Sequence, residues 1–262
     1  MIRLPTNSPL LVVIFLAVSS ATTNAGVILS TDFDSLTTGT VTAADLDSVT
    51  SGGTWTLNTA RSNTTYSIVN DGGNRAFLAD DTGVDDAGRV AFVDIDLDTA
   101  AAFNAGSTVS VDFVTATRRT GVNKSLTYEF LNSSGAVLSR ITWGNNGAVN
   151  FNTAIGVGTS AFTFTNPFDA DGAGIRDVSI SFDGTNAFLN FDGITSTQAL
   201  LNPGTELASI RVSSDFSATT AKGVFLDNLS VSSVVAVPEP SSLLALLFLA
   251  PTAFLRRKRR VC

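Results

Sequence analysis

Between about residue 26 and residue 236 the chain alternates short apolar–polar runs with turn residues. Val109, Val111 and Phe113 alternate with Ser110 and Asp112. Leu126, Tyr128 and Phe130 alternate with Thr127 and Glu129, and Val178, Ile180 and Phe182 with Ser179 and Ser181. A period of two with one apolar face predicts antiparallel strands that cover a core on one side and meet water on the other. Asp183-Gly184, Asn146-Gly147 and Asp71-Gly72-Gly73-Asn74 separate neighbouring runs, and glycine supplies the positive φ that tight connections need. Further strands are predicted over 27–33, 54–57, 90–95, 161–164, 207–212 and 224–231. Only 100–103 and 197–201 offer room for a turn or two of helix. No composition break or repeat divides this stretch. The expectation is therefore one all-β domain, a two-sheet antiparallel jelly-roll sandwich.

The two ends read differently. Arg3 precedes the apolar run 10–18, small residues follow, and Thr23-Asn24-Ala25 suits a cut before Gly26. That order of parts predicts a signal peptide over 1–25. Near the other end, Pro238-Glu239-Pro240 is followed by the apolar stretch 243–255 and then by Arg256-Arg257-Lys258-Arg259-Arg260. The prolines keep the chain extended, the apolar stretch can reside in a bilayer, and the basic cluster holds to its cytoplasmic side. As a helix that stretch spans about 20 Å against a hydrocarbon core of about 30 Å, and Pro251 interrupts it. A temporary membrane stop fits it better than a permanent anchor.

This tail, 237–262, resembles the PEP-CTERM sorting signal of Gram-negative-type bacteria. The resemblance rests on the Pro238, Glu239, Pro240 motif, the hydrophobic helix and the Arg-rich end in that order. It implies an exosortase as processing partner, passage through the secretion machinery, transient membrane association, and an inner-membrane precursor that ends at the cell surface or in the extracellular matrix. Pro251 departs from the family's usual small residues in the helix.

Charge narrows the partners. The chain carries 16 Lys+Arg and 23 Asp+Glu. Setting aside Arg3, the five basic residues of the tail and Glu239 leaves 10 basic and 22 acidic residues, a net of −12. Nucleic acid and anionic lipid both call for a basic footprint, which this domain lacks. There is no His, and the single Cys262 lies in the tail, so Ser-His or Cys-His catalysis and His-ligated zinc are excluded. Without a disulfide the domain must rest on its core.

Three chemistries remain. Glycosidase action needs two carboxylates, but Glu129 and Glu206 are the only glutamates left in the domain, and Glu129 falls on the wet face of its strand as a solvated charge. Calcium binding needs several hard oxygens. The candidates are Asp32 and Asp34 with Asp227, should first and last strands pair; Asp169 with Asp171; and Asp80, Asp81, Asp85 and Asp86. A structural Ca²⁺ is thus the one cofactor the sequence suggests. Glycan binding usually needs an exposed aromatic platform. Trp143, followed by Asn145 and Asn146, is the leading candidate, ahead of Trp55, Tyr66 and Tyr128.

A second resemblance is shorter. Residues 177–193, a strand into an Asp-Gly turn and back to another Asp-Gly, look like the hairpin of concanavalin-like and laminin-G-like domains. Residues 223–231 and 29–34 are similar to the last and first strands of jelly-roll carbohydrate-binding modules. The resulting expectation is an exported, non-enzymatic surface or matrix protein that associates with exopolysaccharide. The alternatives are a glycan-active enzyme of the same fold, and a purely structural module.

Overall fold

The computed structural model describes residues 25–58, 64–71, 74–81, 88–104, 107–119, 124–144, 148–152, 162–163, 176–216 and 222–235. Residues 24–236 form one compact unit. Among the described residues the strands are β1 (Ala25–Thr31), β2 (Gly39–Thr40), β3 (Thr50–Ser51), β4 (Gly53–Leu57), β5 (Thr64–Asp71), β6 (Asn74–Asp81), β7 (Gly88–Ala102), β8 (Ser107–Arg119) and β9 (Lys124–Leu131). They continue as β10 (Val137–Gly144), β11 (Ala148–Phe151), β12 (Phe162–Thr163), β13 (Arg176–Phe182), β14 (Asn186–Phe191), β15 (Ile194–Ala199), β16 (Glu206–Phe216) and β17 (Lys222–Val235).

Two antiparallel sheets result. The first runs β15-β14-β13-β8-β17-β6-β5-β2, with β1 paired to β17 and β3. The second runs β12-β11-β10-β9-β16-β7-β4. The chain is all-β, a jelly-roll sandwich, as the alternation requires. The inward positions of both sheets, including Val109, Val111, Phe113, Val178, Ile180 and Phe182 from one and Ile95, Phe130, Ile141 and Val212 from the other, make a single core.

Aromatic pairs join the sheets. Phe113 lies 4.8 Å from Tyr128, Phe182 5.4 Å from Phe130, and Phe191 5.3 Å from Trp143, all centroid to centroid. Trp55, Tyr66 and Phe33 gather round Phe77. Offset and edge-on contacts of this kind add about 1 kcal/mol each beyond burial. The Tyr128 hydroxyl is hydrogen-bonded to Thr115, whose Oγ1 also donates to the Phe225 carbonyl at 3.0 Å. Burial pushes the Tyr128 phenol far above its ordinary range, against the pull of that bond to Thr115.

Three local expectations need correction. Residues 100–102 finish strand β7 and 197–199 belong to strand β15, so neither is helical. Asp192-Gly193, both at positive φ, closes a two-residue hairpin between β14 and β15, with Phe191 opposite Ile194. That turn forces 194–199 into a strand. The first strand ends at Thr31, and Phe33 to Ser35 make a 3-10 turn. The one α-helix among the described residues, α1 (Ala43–Ser48), starts at a capping box in which Thr42 and Asp45 bond each other's backbone N–H. Its Asp47 accepts the Trp55 N–H at 2.7 Å, tying the helix to β4.

The signal peptide up to residue 24, the Pro238–Glu239–Pro240 motif and the rest of the tail lie outside the described residues, as do 161 and 164 of the strand predicted over 161–164, whose middle residues form β12. No helix among the described residues is long and apolar enough to cross a membrane.

Candidate functional site

The outer face of the first sheet is where polar side chains and an exposed aromatic converge. Strand register sets them in two rows. Cross-strand partners Ser30, Ser230, Asp112, Ser179, Asn190 and Thr195 form one row across β1, β17, β8, β13, β14 and β15. Val27, Ser232, Ser110, Ser181, Phe188 and Thr197 form the next. Partners share a face, and the inward neighbours Val111, Ile180 and Leu189 are buried, so both rows face solvent. Six adjacent strands give each row a length of roughly 24 Å.

Phe188 is the anomaly. Ala187, Leu189 and Phe191 fill the apolar phase of β14, and Phe188 stands on the polar phase, 39% exposed. Around it Ser179, Ser181, Asn190, Thr195 and Thr197 line a groove of about 290 Å³. A second groove of about 430 Å³ adjoins it, lined in part by Asp112, Asp177, Ser179, Asn190, Asp192 and Asn228. Ser179 and Asn190, directly paired across β13 and β14, belong to both. Asn228 reaches the groove from a bulge in β17, where it sits at φ 51° and its N–H donates to Asp227. Arg176 binds Asp192 at 2.8 Å, and the Asp192 N–H donates to the Asp177 carbonyl at 2.7 Å. Those two bonds fix the end of the groove. The arrangement offers an apolar ring, hydroxyls, amides and acceptor carboxylates on one rigid surface.

The outer face of the second sheet carries a charged row. Arg140, Glu129, Arg211 and Asp94 are successive cross-strand partners on β10, β9, β16 and β7. Arg211 clasps Asp94 with two bonds, of 2.6 and 3.2 Å, and Arg140 lies 3.5 Å from Glu129. The bond to Asp94 raises the Arg211 guanidinium above its ordinary value, against partial burial. Burial and the neighbouring Asp94 push Asp96 upward. Glu129 is only 6% exposed, so the expectation of a solvated charge is corrected: it is a buried, paired one.

The residues singled out from sequence fare unevenly. Trp143 is fully buried on the inward face of β10 and meets Phe191 edge-on, so its ring is core and offers no face to a sugar. Trp55, Tyr66 and Tyr128 are buried as well. Asn145 and Asn146 lie outside the described residues, with Asp169, Asp171, Asp85 and Asp86, and so do the side chains of Asp80 and Asp81. The first and last strands do pair, Ser30 opposite Ser230, but the pairing does not gather the three carboxylates into a metal site. After Thr31 the chain turns toward the end of α1, the Asp32 N–H donating to the Val49 carbonyl, and the Asp32 carboxylate caps the 3-10 turn by accepting the Asp34 N–H at 3.0 Å. No group of three or more His, Cys, Asp or Glu among the described residues is placed to hold a metal ion.

No protein-family model matches the chain, and no curated protein matches it in sequence. Solved structures do resemble it. A sialidase superposes with a TM-score of 0.54 at 11% identity, over 77% of this chain and 18% of that one. This chain therefore spans under a fifth of that sialidase, and at such identity the likeness is one of fold alone. The Emp47p carbohydrate recognition domain gives 0.48 at 8% identity, over 84% of this chain and 100% of its own. The alginate lyase from Corynebacterium sp. gives 0.46 at 8% identity, over 64% and 80%.

Proposed function

We propose that this chain is an exported, non-enzymatic carbohydrate-binding β-sandwich of the cell surface or extracellular matrix, and that the outer face around Phe188 holds the glycan. The observation behind this reading is Phe188 itself. A phenyl ring exposed on the polar phase of a strand gains nothing for the core. A sugar's C–H face packs on such a ring, while its hydroxyls pair with neighbouring donors and acceptors. Ser179, Ser181, Asn190, Thr195 and Thr197 supply those groups on β13, β14 and β15. The row length suits a polymer more than a monosaccharide, and exopolysaccharide is the polymer an exported protein meets. A binding role is preferred to a cutting one because neither glutamate of the domain lines the grooves around Phe188: Glu129 is held by Arg140 and Glu206 by Ser133.

Export and sorting rest on the two ends of the sequence. Under this reading residues 1–25 direct secretion, and an exosortase recognises Pro238, Glu239 and Pro240 while 243–255 pauses in the inner membrane. The decisive measurement is affinity electrophoresis in gels containing the producing cell's exopolysaccharide, with a glycan array beside it. The wild-type protein should be retarded, and Phe188→Ala should run free at unchanged thermal stability. A wild-type protein that ignores both would defeat the proposal.

A further inference from the structure

The glycan that this face takes is, we infer, neutral: the carboxylates of the larger groove select hydroxyl-rich sugars and turn away uronate polymers. The inference deepens the carbohydrate-binding reading and depends on it.

Three aspartates line the larger groove, and the only guanidinium given to them among the described residues is that of Arg176, on Asp192. Asp112 and Asp177 therefore leave the groove with a net negative charge beside the aromatic platform. A carboxylate accepts hydrogen bonds and donates none when ionised. Sugar hydroxyls donate, so adjacent hydroxyls can pair with Asp112 or Asp177, and charge-assisted bonds of that kind are about twice as strong as neutral ones. A uronate brings acceptors and a like charge to the same place. Its repulsion acts over a few ångströms in a partly shielded groove, where salt screens less than in open water. Position brings the carboxylates close to the platform. Asp112 pairs across the ladder with Ser179, and Ser179 with Asn190, the two residues common to both grooves. A chain that lies on Phe188 and crosses Ser179 and Asn190 into the larger groove therefore passes Asp112 and Asp177. The whole domain's net charge of −12 adds a weaker, long-range term of the same sign.

The test uses the purified protein on an array of neutral polysaccharides, β-glucan, mannan and galactan, each beside the same polymer with its C6 hydroxymethyl oxidised to carboxylate. The bound neutral polymer should be favoured over its oxidised twin by about tenfold at low ionic strength, narrowing in high salt. The Asp112→Asn/Asp177→Asn protein should bind the neutral ligand more weakly, as its charge-assisted bonds are lost, and should lose most of the preference, because the amides retain size while removing the like charge that repels a uronate. Thermal melting checks that this variant folds; should it not, Asp177→Asn alone, at an exposed position, should still reduce the preference. Equal or stronger binding of the oxidised polymer overturns the inference and leaves the carbohydrate reading standing. A preference unchanged in the aspartate variants also overturns it. Binding to no polymer overturns both.

Discussion

Phe191 on β14 and Trp143 on β10 meet edge to face across the sandwich, their ring centroids 5.3 Å apart and their planes at 74°. Phe191 is the inward neighbour of Asn190, so the strand that carries the candidate glycan face is pinned from behind by the opposite sheet. Both rings are fully buried. Trp143→Ala should therefore destabilise the domain by about 3–5 kcal/mol, the cost of a large core truncation. Trp143→Phe should cost far less and leave glycan affinity unchanged, as read by denaturant titration and affinity electrophoresis. A loss of affinity in stable Trp143→Phe would return the ring to the role that the sequence suggested.

A tighter constraint sits between β3 and β4. Gly52 adopts φ +80°, and a Cβ there would lie 1.8 Å from the Ile28 carbonyl oxygen. The obstacle is backbone of β1, which no rotamer change can move. The Gly52 carbonyl also accepts the Asp98 N–H at 3.0 Å, so the loop cannot shift freely. Gly52→Ala should cost more than about 3 kcal/mol, combining left-handed strain with the clash. A urea midpoint close to wild type would contradict this geometry.

Much of the fold was legible because the alternation is regular: Val178–Ile180–Phe182 and Leu126–Tyr128–Phe130 point inward as their period requires. What misled was chemistry read without depth. Trp143 looked like a platform because tryptophan suits sugars, yet its place in the phase of Leu126 and Tyr128's partners puts it in the core. Phe188 was legible by the same rule, since it breaks phase between Ala187 and Leu189. The grooves were not, because they depend on β17 pairing β8 more than a hundred residues away, and on a bulge that turns out Asn228. Strand β15 was signalled by Asp192-Gly193, but its small polar residues lack the apolar alternation that marks other strands.

Two aspartates should respond to pH with opposite signs. In the β13–β14 turn, slight burial tends to raise Asp183, but the Asn186 and Thr185 N–H groups at 2.6 and 2.8 Å outweigh it and lower it below its ordinary value of 3.8. A lowered folded value means stability present above the unfolded value and lost as pH falls through the folded one. Asp183→Ala should thus lower Tm at pH 7, and the difference should fade in acid. Asp96 is raised by burial and by Asp94, so its ionisation opposes folding at neutral pH. Asp96→Asn should raise Tm at pH 7 and lose that advantage below the carboxylate range. Thermal melts across pH 2.5–7, as a rough working window, check both signs.

The charged row on the second sheet calls for a cycle of substitutions. Glu129 sits between Arg140 and Arg211 in the strand register, and Arg211 has Asp94 on its far side. Removing Glu129 leaves the part-buried Arg140 guanidinium, whose Nε is already buried without a hydrogen-bond partner, facing an apolar gap. Breaking a buried pair from one side costs about 3–5 kcal/mol, whereas replacing both members by apolar side chains is often neutral. Glu129→Leu should therefore destabilise by about 3 kcal/mol, and Glu129→Leu/Arg140→Leu should recover most of it. Arg211→Leu should fall between, since it strips a partner from Asp94 at a more open position. Denaturant midpoints for the three variants test the order. If the double variant is no more stable than Glu129→Leu, the row is a site with its own reason to be charged, and glycan binding should then be sought on that face as well.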